Sequence, residues 1–167
     1  MTTREAIIQK GDELIRDRGY NAFSFYDIAR TLGIKNASIH YYFPSKTDLG
    51  VEIIRDQQRK LAELIYRVQK KDAFTKLKAF FSIYEENHRD DRVCLVGALA
   101  TDLHTLEPEI QEEFRKLADN ILKWVTEILK EGKEEKIFYF VTTPRAKALM
   151  IITNMMAALQ LARLTGS

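Results

Sequence analysis

The chain contains 167 residues and carries a formal net charge of +2, with three prolines, seven glycines and one cysteine. This length is sufficient for a buried core, and long runs of Leu, Ile, Ala, Lys and Glu favour helices over a sheet-rich fold. The near-neutral charge gives no sign of nucleic-acid binding from composition alone, and a lone cysteine excludes an internal disulfide. We therefore expect an all-α protein.

No targeting or membrane-spanning segment is expected. The first residues, MTTREAIIQKG, are charged and lack the roughly 7 to 15 apolar residues of a signal peptide. The most apolar stretch, ALMIITNMMAALQLA, contains Asn154 and Gln160 and falls short of the roughly 18 apolar residues of a membrane helix. We expect a cytoplasmic protein without a membrane partner.

Residues 3–18 show the spacing of one helical face. Apolar side chains recur there at Ile7, Ile8, Leu14 and Ile15. Thr2 with Glu5 three residues on has the pattern of a capping box, and Gly19 is a natural stop. The pattern predicts a first helix over residues 3–18.

Two short helices with a tight turn between them are predicted next. Ser24 and Asp27 repeat the capping-box pattern at the start of SFYDIARTLG, and Gly33 can take the positive φ of a sharp turn. Asn36 is then in place to cap a third helix over Ala37 to Tyr42. Short helices joined in this way predict a helix-turn-helix.

The predicted third helix has two different faces. Ile39 and Phe43 are four residues apart and are expected to face the core. The side chains expected to project outward are those of Asn36, Ser38, His40 and Tyr41. In a helix-turn-helix such positions reach base edges in the major groove, and small Ala37 permits close approach to a thymine methyl. The alternative is a plain amphipathic core helix, because the same geometry occurs in folds that never meet DNA.

Groups that suit phosphates flank this helix. Tyr42 and Lys46 present a phenol and an ammonium near the end of the third helix and the start of the fourth. The helix N-termini at Ser24 and Ser45 add amide dipoles that favour an anion.

Five further helices complete the predicted fold. The fourth begins at a Ser45–Asp48 capping pattern and runs for about 24 residues. The others are expected near residues 72–87, 94–104, 108–131 and 144–164. Pro108 and Pro144 suit first helical turns, and Gly132 suits a C-terminal stop. The last helix is apolar nearly all the way round, so we expect one side to pack on its own core and the other on a partner chain.

The stretch GYNAFSFYDIARTLGIKNASIHYYFPSKTDL, residues 19–49, resembles the DNA-binding segment of the TetR family of bacterial transcriptional regulators. The likeness lies in a Gly-Tyr turn, a short helix ending in Ile-Ala, Leu-Gly-Ile, and a third helix closing in Tyr-Tyr-Phe-Pro-Ser-Lys. CLVGALATDLHTLEPEIQEEF resembles the sixth and seventh helices of one large subset, and AALQLARLTGS resembles the penultimate helix, after which relatives usually carry one more. The resemblance implies a helix-turn-helix DNA-binding domain over residues 1–48 and a helical ligand-binding and dimerisation domain over residues 49–167.

The resemblance also implies a function. It predicts a homodimeric repressor that binds a pseudo-palindromic double-stranded DNA operator and is released by a small apolar effector. Base contacts would come from Asn36, Ala37, Ser38 and His40, with Tyr26 reaching across from the second helix. Phosphate contacts would come from Ser24, Tyr42 and Lys46. Lys35 occupies the usual serine cap and, with Tyr41, completes the predicted DNA-binding set.

The effector site is expected on apolar stripes of the later helices. The predicted ligand-binding side chains are Phe81, Tyr84, Phe114, Leu117, Ile121, Trp124, Met155 and Met156. Each of them also fits a plain core position. The alternative is a DNA-binding regulator that is controlled by a protein partner, or by the redox state of Cys94, rather than by a small ligand.

No catalytic or metal-binding motif is apparent. A glycine-rich phosphate loop, an H-E-x-x-H and a G-x-S-x-G are all missing from the sequence, so we expect no enzyme and no cofactor. His88 and His104 without a Cys or Asp cluster predict no metal site.

Overall fold

The computed structural model describes residues 1–166. Within them lie eight α-helices and two 3-10 turns, and no strand, so the predicted all-α class is confirmed. The helices are α1 (Thr3–Arg18), α2 (Phe25–Leu32), α3 (Asn36–Tyr42), α4 (Lys46–Val68), α5 (Ala73–Arg89), α6 (Leu95–Ala100), α7 (Pro108–Glu134) and α8 (Pro144–Thr165). The 3-10 turns are Tyr20–Ala22 and Leu103–Thr105. The segment predicted as one helix over 94–104 is thus divided into α6 and a 3-10 turn.

Most helices begin at the capping residues that the sequence indicates. The Thr2 and Glu5 side chains exchange hydrogen bonds with each other's backbone N–H at the start of α1. Ser45 and Asp48 do the same before α4, where Asp48 N–H donates to Ser45 Oγ at 3.1 Å. Such bonds satisfy N–H groups that a helix leaves unpaired in its first turn.

The start of α3 differs from the prediction by one residue. Asn36 is already the first helical residue, so its expected role as the cap is wrong. Lys35 occupies the cap position instead, its side chain makes no capping bond, and its carbonyl accepts from Ser38 N–H at 2.9 Å. The Asn36 amide is therefore not committed to capping and faces solvent.

The sequence suggested that α7 ends at Gly132, and this prediction is wrong. The helix continues to Glu134, and the left-handed conformation falls on Lys136, with φ of 59°. Gly132 O accepts from Ile137 N–H at 2.8 Å and from Phe138 N–H at 2.9 Å. A Cβ at Gly132 would collide with the Phe138 ring, so the glycine is required for close packing of the returning chain.

The described chain forms two compact units. The first, here called the head unit, comprises residues Met1–Gln57 and Leu95–Arg115; the second, the bundle unit, comprises Gln58–Cys94 and the described residues from Lys116 onward. Contacts thus place α6 and the start of α7 with the N-terminal helices. The functional boundary between residues 48 and 49 stays a prediction.

Each unit has its own apolar core. In the head unit, side chains that are less than 2% exposed are those of Ile7, Ile15, Ile28, Ile39, Leu49, Ile53, Ile54, Leu99 and Ile110. In the bundle unit, the most deeply buried are those of Ala73, Phe80, Leu117, Val125, Ile128, Leu129 and Ala148. Burial of such side chains is the main stabilising term in each unit.

Helix α8 is unusually exposed for its composition. Only Ala148 and Leu159 among its described side chains are buried, whereas Leu161 and Leu164 are 58% and 82% exposed. By length and hydropathy alone α8 could also cross a membrane, which from a single helix is weak evidence. The absence of a membrane-spanning segment stays a prediction. A partner chain against its exposed side stays a prediction.

Candidate nucleic-acid interface

The predicted helix-turn-helix is formed by α2, α3 and the turn between them. Ser24 N–H and Oγ–H both donate to Asp27 Oδ2 at 2.8 Å, which fixes the start of α2. These bonds, the one from the Ser24 side chain above all, lower the pKa of Asp27. At the other end Gly33 has φ of 65°, and Ala29 O accepts from Ile34 N–H at 3.1 Å. The chain therefore reverses sharply into α3.

The two faces of α3 are as predicted. Ile39 and Phe43 are 0% and 2% exposed and belong to the head-unit core. Around them, the side chains of Asn36, Ala37, His40, Tyr41 and Tyr42 are exposed, and that of Ser38 is half-buried. The predicted base-reading residues are therefore largely accessible, and their contact with bases stays a prediction.

His40 is held in place at the exposed edge of α3. Its ring meets the Phe25 ring edge-on, with centroids 5.0 Å apart, and its Nδ1 lies 3.4 Å from Pro44 O. A carbonyl oxygen can only accept, so this contact favours the proton on Nδ1. In the neutral tautomer with the proton on Nδ1, Nε2 is an acceptor, which would suit the amino group of adenine or cytosine.

Three further predicted DNA contacts lie on or beside α2: Ser24 precedes the helix, Tyr26 lies in its first turn, and Lys35 caps α3 after the turn. Ser24 and Lys35 are exposed, and Tyr26 is 65% exposed. Arg30 lies 6.0 Å from the Tyr26 ring centroid and 3.9 Å from Asp27. An exposed phenol held beside a guanidinium suits a phosphate or a base edge.

Lys46 differs from the other predicted DNA contacts. Its Nζ donates to Phe23 O at 2.5 Å and lies 4.6 Å and 4.3 Å from the ring centroids of Tyr20 and Phe23. Burial lowers the pKa of Lys46, although nearby acids oppose the shift. The phosphate contact stays a prediction, but this ammonium already has partners inside the head unit.

Sequence reasoning passed over Arg4 and Asp102. The Arg4 guanidinium lies 5.3 Å from the Phe43 ring centroid and 3.4 Å from Glu52 Oε1, on a cleft that Tyr42 also lines. Asp102 Oδ2 accepts from Tyr20 N–H at 2.9 Å. Neither residue belongs to a motif, so the sequence carried no signal for these contacts.

The predicted ligand-binding residues are divided between the two units. Phe114 belongs to the head unit, and the other seven belong to the bundle unit. Phe80 brings three of those seven together, with its ring centroid 5.9 Å from Phe81, 5.2 Å from Tyr84 and 6.2 Å from Trp124. The pKa of the Tyr84 hydroxyl is raised, first by burial. A single site holding all eight residues stays a prediction.

An apolar groove lies beside this aromatic cluster in the bundle unit. It has a volume of about 290 Å³ and is lined by Leu61 and Ile65 of α4 and by Trp124 of α7. Asn120 and Lys123 supply polar groups at its edge. No group of three or more metal-ligating side chains occurs within the described part of the chain.

Comparison with known proteins agrees with this geometry. Residues 7–53 match the family described as "Bacterial regulatory proteins, tetR family". A TetR transcriptional regulator from Legionella pneumophila has 35% sequence identity and a TM-score of 0.89, over all of this chain and 90% of that one. The reduced form of NemR from E. coli has a TM-score of 0.80 at 20% identity, over 99% of this chain and 89% of that one.

A curated relative gives the same class. The HTH-type transcriptional repressor DhaR from Mycobacterium sp. (strain GP1) is 23% identical over 139 residues, which are 78% of this chain and 67% of DhaR. The fold and the exposed α3 surface define a helix-turn-helix DNA-binding regulator of transcription. The chain belongs to the TetR family of bacterial transcriptional regulators.

Proposed function

We propose that the chain is a ligand-responsive transcriptional repressor of the bacterial cytoplasm that binds a pseudo-palindromic operator as a homodimer. The observation that carries this proposal is the exposure of most α3 side chains beside the buried Ile39 and Phe43. Its amide, hydroxyl, imidazole and phenol groups have the chemistry that reads base edges and phosphates. The relative DhaR is named a transcriptional repressor, which supports repression as the proposed mode of regulation.

Base reading would fall to the first two turns of α3. Asn36 offers an amide that can pair with adenine, and Ala37 is small enough for close contact with a thymine methyl. His40 offers a ring nitrogen as acceptor. Because α3 contains no arginine, strong bidentate recognition of guanine is not expected from this helix.

Dimer formation would set the spacing of the operator half-sites. Two copies of α3 in successive major grooves lie about 34 to 36 Å apart, so the operator should read as an inverted repeat. The apolar side chains that α8 leaves exposed, among them Leu161 and Leu164, support its use as a contact between copies.

A small apolar effector would bind in the bundle unit. The aromatic cluster around Phe80 and the groove lined by Leu61, Ile65 and Trp124 provide a largely apolar surface with a few polar groups at one edge. This is the usual composition of a small-molecule site. Binding there would shift the protein toward a form with weaker operator affinity.

The second candidate is control through the redox state of the Cys94 thiol. The structure of the relative NemR is described as that of its reduced form. In this chain Cys94 is only 7% exposed. Reactive cysteines are usually accessible thiolates, so this burial favours the small-molecule candidate. A thiol-alkylation rate that is fast in the native protein and changes operator affinity would reverse the order of the two.

The test is selection of bound fragments from a random double-stranded DNA pool, followed by titration of the selected fragment. We expect an inverted repeat in the selected pool. Tyr41→Ala should weaken binding about 10-fold, because its phenol is 82% exposed on α3. Tyr66→Ala, which changes a tyrosine that is 74% exposed on α4, is the matched control and should bind as the parent does. Failure of the parent to enrich any duplex at low salt would refute the proposal.

A further inference from the structure

The turn between α1 and α2, residues Gly19–Phe23, is held by a part of the chain far away in sequence. Tyr20 N–H donates to Asp102 Oδ2 at 2.9 Å, across 82 positions. Asn21 Nδ2 donates to Thr105 Oγ1 at 2.7 Å, across 84 positions. Asp102 and Thr105 lie between α6 and α7, and all four residues belong to the head unit.

The backbone at this turn has the form that such a contact requires. Gly19 has φ of 87°, a conformation that other residues rarely adopt, and a Cβ there would stand 3.2 Å from Asp102 Oδ2. On the other side of the contact, Thr105 N–H and Oγ–H both donate to Asp102 O at 2.8 Å. Asp102 and Thr105 therefore form one preorganised acceptor pair for the turn.

Lys46 holds the other end of the same turn. Its ammonium donates to Phe23 O and lies over the rings of Tyr20 and Phe23. Helix α2 begins at Phe25, two residues after Phe23, and α2 packs directly on α3. The position of this turn therefore sets where α2 begins and how α3 is supported.

We propose that Asp102, supported by Thr105, is a positioning residue for DNA binding. Its carboxylate holds the Gly19–Phe23 turn through Tyr20 N–H and thereby places α2 and α3 for the operator, without touching DNA itself. Hydrogen bonds to a charged acceptor are stronger than neutral ones, so the bond to Asp102 is expected to be the stronger of the two that join this turn to the segment between α6 and α7. The inference rests on the proposed operator binding.

A positioning role differs from a phosphate contact in what it does to binding. Removing a phosphate contact reduces the slope of log affinity against log salt by about one unit. Removing a positioning bond weakens binding to every base sequence and leaves that slope unchanged, because no counterion release is lost.

The experiment measures affinity for the fragment that the parent protein selects, at several salt concentrations. Asp102→Ala should bind about 10-fold more weakly with an unchanged salt slope. Asp102→Asn keeps a side-chain carbonyl acceptor and should remain within about 3-fold of the parent. Asp72→Ala is the matched control, because Asp72 Oδ1 also accepts a backbone N–H, from Thr75 at 2.9 Å, but caps α5 in the bundle unit. It should bind as the parent does.

Amide hydrogen exchange supplies a readout that needs no DNA. In Asp102→Ala the Tyr20 amide should lose its protection while α5 amides keep theirs, and in Asp102→Asn the protection should return. Parent-like affinity in Asp102→Ala, or an equal loss in Asp72→Ala, would overturn the proposal. A parent that binds no duplex would instead overturn the proposed function, and exchange at Tyr20 would still decide whether Asp102 holds the turn.

Should Asp102→Ala fail to fold, Thr105→Val takes its place. This change removes the acceptor of Asn21 and keeps the Asp102 carboxylate. We expect about 3-fold weaker binding, again with the parent salt slope. Parent-like binding in this variant, with parent-like exchange at residues 19–23, would also overturn the proposal.

Discussion

The head unit and the bundle unit both have a buried apolar core, and they differ in the contacts around it. In the head unit, charged and polar side chains hold particular backbone groups: Asp102 holds Tyr20 N–H and Lys46 holds Phe23 O. In the bundle unit, aromatic rings pack on one another around Phe80, and α8 leaves apolar side chains exposed. Hydrogen bonds are directional and fix an orientation, whereas apolar packing has no preferred direction. The first property would suit the proposed reading of DNA, and the second would suit the proposed apolar ligand site.

The largest effect is expected from opening the bundle core. Phe80 is 1% exposed and contacts three other aromatic rings, so Phe80→Ala should lower the free energy of unfolding by about 3 to 5 kcal/mol. Phe74→Ala changes a phenylalanine of the same helix that is 55% exposed, and should cost less than about 1 kcal/mol. Urea unfolding measures both, and equal losses would show that the Phe80 cluster is not a core.

A loss of base recognition at one position is expected when Asn36 on α3 is replaced. Asn36→Ala should remove about 1 to 3 kcal/mol of discrimination at one base position of each half-site, while thermal stability stays near that of the parent. Gln69→Ala, which removes an exposed carboxamide just after α4 in the bundle unit, is the control. The measurement is fragment selection followed by sequencing. A base profile identical to that of the parent would show that Asn36 does not read bases.

A Lys46 variant tests whether this ammonium stabilises the head unit or contacts a DNA phosphate. Because its ammonium is bonded to Phe23 O and lies over two rings, we expect Lys46→Ala to weaken operator binding about 10-fold with an unchanged salt slope. This expectation differs from the phosphate contact that the family resemblance implies. Affinity titrations at several salt concentrations decide between them, since a slope reduced by about one unit would support the phosphate contact.

The smallest effect concerns one buried tyrosine in each unit. Burial raises the pKa of Tyr20 in the head unit, as does nearby Glu107, and burial also raises the pKa of Tyr84 in the bundle unit. Both hydroxyls remain protonated in the folded protein above about pH 10, where the unfolded chain ionises. Their contribution to stability is therefore complete below about pH 10 and is lost as the pH rises further, by up to about 1.4 kcal/mol per pH unit for each group.

Phenylalanine variants test this pH dependence. Tyr20→Phe and Tyr84→Phe should each flatten the decline of the free energy of unfolding above about pH 10. Tyr139→Phe, at a position that is 84% exposed, should leave the decline unchanged. Urea midpoints measured at a series of alkaline pH values give the comparison, and three parallel curves would contradict it.

The sequence by itself determined most of the helices, the helix-turn-helix and the burial of Ile39 and Phe43 on α3. These features depend on interactions over three or four residues, such as the Ser24–Asp27 and Ser45–Asp48 caps, the turn at Gly33, and the spacing of Ile39 and Phe43. Local hydrogen bonds and helical periodicity are set by neighbouring residues, so they can be read before any fold is known.

Only the tertiary structure decided which partners distant residues find. It turned Lys46 toward Phe23, placed Asp102 against Tyr20, and set the Phe138 ring against Gly132, which the sequence had marked as a helix stop. Contacts across 82 positions depend on how helices pack, and helix packing depends on the shapes of many side chains at once. For that reason the exposed residues of α3 were predictable, whereas the long-range contacts of the head unit were not.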